Sequence, residues 1–350
     1  MILDRLDPIT RKKIKRFQSI KRGYYSALIV AGAVLLSLAS ELLVNNRALL
    51  VRYEGKYFLP TYGKVLPGTA FGLDYEYETK YRELQEQFRR EGKGDFVIMP
   101  PAPYGAYEND FQEGIYPPTA PDFKRKHYLG TDTSGRDVLA RLVYGFRTAI
   151  FFSLLLLACN YTIGVSVGCA MGYFGGRFDL FFQRIIEIWS NVPFLYIIII
   201  VASIMVPNFF TLMFIMLFFG WMQMTWYMRT ATYKQKSREY VQAAKAMGAS
   251  DVYIIFKHII PNTISIIVTC MPFSISSGVV VLTSLDYLGF GLPAPTPSWG
   301  ELLRQGTSNL DASWIVLSVV VSMIVLLTMV TFVGEAVREA FDPRKHTVYE

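Results

Sequence analysis

Histidine is scarce in this sequence, and none of it lies inside an apolar segment. The chain of 350 residues has three histidines, His127, His258 and His346, and all of them lie outside its long apolar segments. These segments therefore cannot assemble a histidine-ligated metal site or a histidine-activated nucleophile. A glycine-rich phosphate loop ending in Gly-Lys-Ser or Gly-Lys-Thr is also absent, which excludes a nucleotide-hydrolysing site of that type. We predict no catalytic and no metal-ligating residues, and hence no enzyme.

Cysteine is equally scarce, with Cys159, Cys169 and Cys270 all inside apolar segments. The polar parts of the chain therefore contain no disulfide. We interpret the three cysteines as apolar filler.

Charged residues are missing from the centres of six apolar segments. Each segment is long enough to cross a hydrocarbon core ~30 Å thick, which takes roughly 20 helical residues. Transporters driven by an ion gradient usually keep ionisable groups near mid-membrane, whereas Glu41, Arg184 and Glu335 lie near predicted ends. We predict an all-α membrane protein with six transmembrane helices, not an ion-driven transporter. The predicted spans are 24–44, 149–173, 188–206, 209–226, 264–283 and 314–333.

Basic residues are concentrated in two polar segments, 1–23 and 227–262. Basic flanks favour the cytoplasmic side, so both segments are expected inside, as is the tail 335–350. This distribution explains the net charge of +7 without a nucleic-acid partner. The first span follows a basic stretch but has no small-residue cleavage site, so we expect it to remain as an anchor.

The segment 46–126 is polar and rich in tyrosine and proline. It contains one helical stretch, 81–90, and its tyrosine pairs 53/57 and 75/77 suggest short strands. Its aromatic content favours a small external α/β or irregular insertion between the first two helices over a disordered linker.

The segment 127–148 is predicted to be an interfacial helix on the outer surface. Ser134 and Asp137 resemble a capping box, and Val138, Leu139, Leu142 and Val143 make an apolar stripe opposite Arg136 and Arg141. After the fifth span, a proline-rich run should form an ordered external turn, with Trp299 at the membrane interface.

The cytoplasmic loop 227–262 carries the most informative pattern. A short helix from Glu239 should end at Gly248, which tolerates the left-handed conformation of a helix end. A second helix should begin at Ser250 or Asp251 and stop at Pro261. The small residues of the first helix suit a groove in a soluble partner, although an amphipathic loop on lipid headgroups fits the same pattern.

This loop resembles the signature of the membrane subunits of bacterial ATP-binding-cassette importers. Ala243, Ala244, Gly248 and Pro261 match, while Gln242 stands where the signature has glutamate. The resemblance implies a coupling helix that docks onto a separate ATPase subunit. Its residues here are Glu239, Gln242, Ala243, Ala244, Gly248, Ala249 and Pro261.

Two further stretches, 127–145 and 284–302, resemble segments of oligopeptide and dipeptide importer permeases, and the insertion is similar to that of Yej-type peptide importers. The resemblance implies a multi-pass permease of the bacterial inner membrane that translocates oligopeptides or peptide-like antibiotics. It implies as partners a homologous permease, ATPase subunits and an external or periplasmic peptide-binding protein. No cofactor is expected on this chain, since the ATPase hydrolyses ATP. The substrate-contacting residues are not identified by the sequence.

Overall fold

The computed structural model describes residues 8–111 and 114–341, and within them the protein is mostly helical. The predicted cytoplasmic tail lies outside the described residues beyond position 341, as does His346. The helices are α1 (Pro8–Ser19), α2 (Lys21–Leu38), α3 (Ser40–Leu43), α4 (Tyr81–Glu91), α5 (Val138–Phe174), α6 (Gly176–Ser190), α7 (Phe194–Ile204), α8 (Phe209–Lys236), α9 (Glu239–Ala246), α10 (Asp251–Ile254), α11 (Ile260–Tyr287), α12 (Trp299–Ser308) and α13 (Ser313–Phe341). The strands are β1 (Leu50–Tyr53), β2 (Lys56–Phe58) and β3 (Phe96–Ile98).

Four helical stretches in the described part of the chain are long and apolar enough to cross a membrane: 138–174, 209–236, 251–287 and 310–341. A fifth candidate is the pair α6 and α7, which is bent by 68° at the break before Pro193. Proline cannot donate the backbone hydrogen bond that a continuous helix requires there. The helix α2, which covers most of the first predicted span, is not among these candidates. The count of six spans therefore remains a prediction.

The chain divides into two compact units. The described part of the first unit comprises residues 8–31, 150–282 and 325–341. Within it α5 packs closely on α8, where Gly164, Gly168 and Gly172 lie against the backbone of α8. A Cβ at Gly168 would come 2.5 Å from the carbonyl oxygen of Thr225, so only glycine allows this approach.

The second unit comprises residues 32–149 and 283–324, apart from 112 and 113. It contains an antiparallel sheet in the order β2-β1-β3, with Val51 opposite Phe58 on one side and Val97 on the other. The helix α4 packs on this sheet, and together they bury a core that includes Phe71, Leu84 and Phe88. The helix predicted at 81–90 is present as α4, and the segment 46–126 contains strands as well as helices; that it forms an external insertion remains a prediction. Tyr53 and Tyr57 lie on strands as expected, whereas Tyr75 and Tyr77 stack on each other outside any strand.

The start of α5 differs from the prediction of a separate interfacial helix. Residues 138–148 are the first turns of the 37-residue helix α5. Its cap is Asp137, whose carboxylate accepts a hydrogen bond from the amide of Ala140 at 2.7 Å. Ser134 does not cap it, since its own amide donates to Asp132 in the preceding turn. The predicted capping box is wrong because the turn before Asp137 is closed by Asp132 instead.

Candidate functional site

The helix α9 has one face that is buried in its own chain and one that is exposed. Val241 and Ala244 are buried, and Ala244 is only 3% exposed. They pack into a cluster with Met228 of α8 and with Ile254 and Ile259 from the turns after α9. The opposite face consists of the exposed residues Glu239, Gln242, Ala243, Ala246 and Met247. Their spacing of three and four residues places them together on one side of the helix.

The end of α9 has the geometry that the sequence predicts. Gly248 adopts a positive φ of 82°, and the amide of Ala249 donates to the carbonyl oxygen of Ala244 at 3.1 Å. This is the hydrogen-bonding pattern of a helix closed by a left-handed residue. Ser250 then caps the next helix, since its hydroxyl accepts from the amide of Tyr253.

The prediction that the second helix stops at Pro261 is wrong. The helix α10 passes through a π-type turn, Ile255–Ile259, directly into α11, which continues to Tyr287. In the wide turn the amide of Ile260 donates to the carbonyl oxygen of Ile255. Local π geometry of this kind re-pairs backbone groups near a proline, so Pro261 lies exposed at the beginning of a long helix rather than at the end of a short one.

The loop is tied to the apolar helices by contacts that sequence reasoning missed. The hydroxyl of Tyr173, at the end of α5, donates to Asp251 of α10 at 2.7 Å. The ammonium group of Lys236 lies over the ring of Tyr173. Gln242 donates to the carbonyl oxygen of Lys236 at 2.9 Å, a bond that the glutamate of the family signature could not form. These contacts connect the loop to the ends of α5 and α8, so a movement of α9 would displace the ends of both helices.

A second missed contact holds α6 to α8. Arg229 donates through Nε and a terminal nitrogen to both oxygens of Asp179, each at 2.6 Å. Such a two-point pair fixes orientation as well as distance. In the sequence the two residues are 50 positions apart with no pattern linking them, so only the fold reveals the pair.

The segments 127–145 and 284–302 meet in the second unit through buried charges. Glu301 accepts from Arg136 at 3.0 Å and from Arg141 at 2.5 Å, and Asp132 pairs with Arg136. Arg141 is fully buried and also donates to the carbonyl oxygens of Pro295 and Thr296. Its Nε lies 3.5 Å from Asp132 but makes no hydrogen bond to any residue that the structure describes. The sequence pattern placed Arg136 and Arg141 on a polar helix face. In the structure both are buried inside a network of ion pairs.

Trp299 is buried within this same region, and its position relative to the membrane remains a prediction. It is 4% exposed, and its indole donates to the carbonyl oxygen of Leu142 at 2.9 Å. Gly145 makes room for the ring, because a Cβ there would come 2.9 Å from it. The indole is buried because α12 packs on the first turns of α5.

His127 is held between two carboxylates at the edge of the network. Its Nδ1 lies 2.7 Å from Asp137 and its Nε2 lies 3.2 Å from Asp110, while its ring stacks on Tyr104. Burial alone would lower the pKa of His127, but the hydrogen bonds and charges of the two carboxylates outweigh it and raise the pKa above the ordinary value. The residue is thus a buried link between the two carboxylates, and the raised pKa favours its protonated form.

Comparison with known proteins gives a consistent result. Residues 164–347 match the family described as binding-protein-dependent transport system inner membrane component. The chain is 40% identical to the inner membrane ABC transporter permease protein YejE of Escherichia coli (strain K12), over 98% of this chain and 99% of that protein. It is 37% identical to the peptidoglycan transport system permease protein YejE of Agrobacterium fabrum, over 97% of this chain and 94% of that protein.

Similarity to a second group of permeases covers less of the chain. The oligopeptide transport system permease protein OppC of Haemophilus influenzae is 30% identical over 64% of this chain and 73% of its own length. The similarity to the two YejE proteins covers almost the whole chain and therefore includes the segment that folds into the sheet and α4.

Proposed function

Because this chain belongs to the family of binding-protein-dependent transport system inner membrane components, we propose that the exposed face of α9 is the surface on which the ATPase of its importer docks. The chain is a permease subunit of an ABC peptide importer and a multi-pass protein of the inner membrane. Its relatives are transport components rather than enzymes. Beyond this, we propose the docking surface, the topology and the individual partners.

The proposal rests on one observation: one face of α9 is buried in its own chain, and the opposite face is exposed. Val241 and Ala244 pack against other parts of the same chain. On the opposite face, Ala243 and Ala246 contribute only small side chains. Met247 stands at the end of this face with 82% of its surface exposed. A flexible apolar side chain beside small residues suits insertion into a cleft of a partner. A helix resting on lipid headgroups would instead be expected to carry a broad face of large apolar residues.

The partners follow from this role and from the family. ABC permeases work with ATPase and substrate-binding subunits, and we propose in addition a homologous second permease that completes the pathway. ATP would be hydrolysed on the ATPase, with no cofactor on this chain. Closure of the ATPase domains would move α9, and the contacts of Tyr173 and Gln242 would pass that motion to α5 and α8.

Contacts near the two ends of the chain support a topology with both termini in the cytoplasm. Arg22 of α2 forms an ion pair with Glu335 of α13 at 3.1 Å, and Gly23 packs against Ala336. The beginning of α2 and the end of α13 therefore lie on the same side. An even number of spans is needed for this, and counting α2 with the five candidates makes six. The basic residues of α1 favour the cytoplasm as that side.

Replacement of Ala243 by arginine tests the docking surface. The bulk added to a tightly fitted face would cost about 1–3 kcal/mol of binding free energy by overpacking. We expect the ATPase to be lost from the purified permease complex and peptide uptake to fall, while the variant still accumulates in the membrane. The measurements are ATPase recovery on co-purification and uptake in the same cells.

The matched control is Thr10→Arg, an exposed position in the basic helix α1. It should retain the ATPase and normal uptake. Ala244→Arg is unsuitable as a test, since that side chain is buried within the permease itself and the change would destabilise the loop. Normal ATPase recovery and uptake with Ala243→Arg would show that the exposed face does not dock.

A further inference from the structure

A cavity of about 510 Å³ lies within the first unit, between α5, α7, α8 and α11. Most of its lining comes from the middle turns of α5, α8 and α11, which belong to three of the stretches long enough to cross a membrane. Its volume lies in the range of roughly 300–1,000 Å³ that is typical of sites for small molecules. The cavity is therefore at the depth of the membrane and large enough for a ligand.

The lining combines apolar residues with uncharged polar ones. Hydrogen-bonding side chains include Ser153, Asn160, Gln223, Tyr227 and Ser277, and they stand among apolar residues. Of the residues that the structure places around the cavity, none is Asp, Glu, Lys, Arg or His. The asparagine and glutamine amides each offer both donors and an acceptor.

Two buried polar atoms of this lining have no hydrogen-bond partner among the described residues: Oγ of Ser153 and Oδ1 of Asn160. Ser153 is only 1% exposed. Leaving such atoms unpaired costs free energy, and polar groups at membrane depth usually mark a functional path. Gly220 and Gly278 lie against Asn160 and Ser153 respectively, and larger residues there would displace these two side chains. The two unsatisfied atoms thus belong to side chains that line the open volume.

We propose that this cavity binds the backbone of the peptide in transit through uncharged hydrogen bonds. Each residue of a peptide offers one N–H donor and one carbonyl acceptor, which match the amide side chains of Asn160 and Gln223 in the lining. A lining without charge pairs with neither acidic nor basic side chains, so it accepts peptides of different sequence. The inference rests on the function of the chain in peptide import and identifies where that substrate is held.

Photocrosslinking in the assembled importer tests which molecule occupies the cavity. Benzoylphenylalanine replaces Phe219 in the lining or, as a matched control, Phe214, which is exposed on the same helix outside the lining. Vesicles holding both permeases, the ATPase and the binding protein receive ATP and a radiolabelled mixture of alanine-based peptides of several lengths. We expect ATP-dependent labelling at position 219 about tenfold above that at position 214.

Three outcomes would overturn the proposal: equal labelling at both positions, no labelling at 219 while the mixture is imported, and crosslinking of 219 to the second permease in place of peptide. Failure of the wild-type vesicles to import the mixture would contradict peptide import itself. The two failures are thus distinguishable.

Charge added to the cavity provides a second, independent test. Gln223→Glu keeps the shape of the side chain and introduces one negative charge. The uptake of alanine peptides that carry one lysine, relative to those that carry one glutamate, should rise about tenfold. Gln18→Glu, the same change at an exposed position of α1 outside the cavity, should leave this ratio unchanged. An unchanged ratio with Gln223→Glu, at normal ATPase recovery, would exclude peptide contact at this site.

Discussion

His127 shows how one side chain can join two segments of the second unit. Its imidazole bridges Asp110 and Asp137, and Asp137 also caps α5. The pKa of His127 is raised, so the protonated form stabilises the folded state. This stabilisation is complete below the unfolded pKa of about 6.5 and disappears as the pH rises through the higher pKa of the folded state.

We therefore predict that backbone amides of residues 127–141 become less protected from hydrogen exchange as the pH rises above about 6.5. After correction for the intrinsic exchange rate, His127→Gln should remove this pH dependence, because glutamine stays neutral throughout. His258→Gln, a histidine of the first unit, serves as the control and should behave like the wild type. Loss of protection with decreasing pH would contradict the bridging role.

Residue identity alone predicted part of the site. Gly248 could be recognised because few residues tolerate a positive φ, and Ser250 because a hydroxyl before a helical run caps it. The burial of Ala244 and the exposure of Ala243 could not be separated, since both are small and adjacent. The roles of Arg141 and Tyr173 depend on partners distant in the sequence, and no local pattern indicates them.

At the scale of elements, the glycine face of α5 determines how closely α8 can approach. Gly164, Gly168 and Gly172 meet residues of α8 in increasing order, so the two helices run parallel. The glycines recur at every fourth residue, so all three lie on the side of α5 that faces α8.

Replacement of Gly168 by leucine should separate α5 from α8. A Cβ there would meet the backbone of Thr225 and Arg229, which cannot move away easily, at a cost of about 1–3 kcal/mol or more. We expect a lower melting temperature of the detergent-purified permease and less protein in the membrane. Gly32→Leu is the matched control, since a Cβ at Gly32 meets nothing within 4 Å. Equal stability of the two variants would contradict the packing argument.

Element boundaries were predicted well only where local chemistry sets them. The helix 81–90 follows its amphipathic pattern, and Gly248 and Ser250 mark the end of α9 and the beginning of α10. Pro261 was misinterpreted because a π-type turn accommodates it, and α5 was divided because its first turns carry arginines that turn out to be buried. Both errors arise from tertiary packing that overrides a local signal.

At the scale of the whole molecule, the topology can be tested with two positions. Single cysteines at Glu91 and Arg238, both exposed, are introduced into a chain whose native cysteines are replaced by alanine. An impermeant thiol reagent added to cells with a permeabilised outer membrane should label position 91 alone, because residues 46–148 are expected outside and 227–262 inside. Labelling of position 238 alone would invert the predicted orientation.

The fold class and the family could be read from the sequence because apolar length and the loop signature are local properties. The count of spans could not be settled in the same way, since α2 is less clearly apolar than the others and α6 and α7 are bent apart. The substrate cavity was also unpredictable, because its polar residues lie on different helices.

The opposed faces of α9 have a consequence for how the sequence can change over evolutionary time. Substitutions at Val241 and Ala244 must be matched by changes in this same chain, at positions such as Met228 and Ile259. Substitutions at Ala243 and Met247 would be matched by changes in a different gene product. In paired sequences of permeases and their ATPases, adjacent positions of one short helix should therefore co-vary with separate chains. Ala243 and Ala244 are neighbours in the signature, but Ala243 would co-vary with positions of the ATPase and Ala244 with positions of this chain.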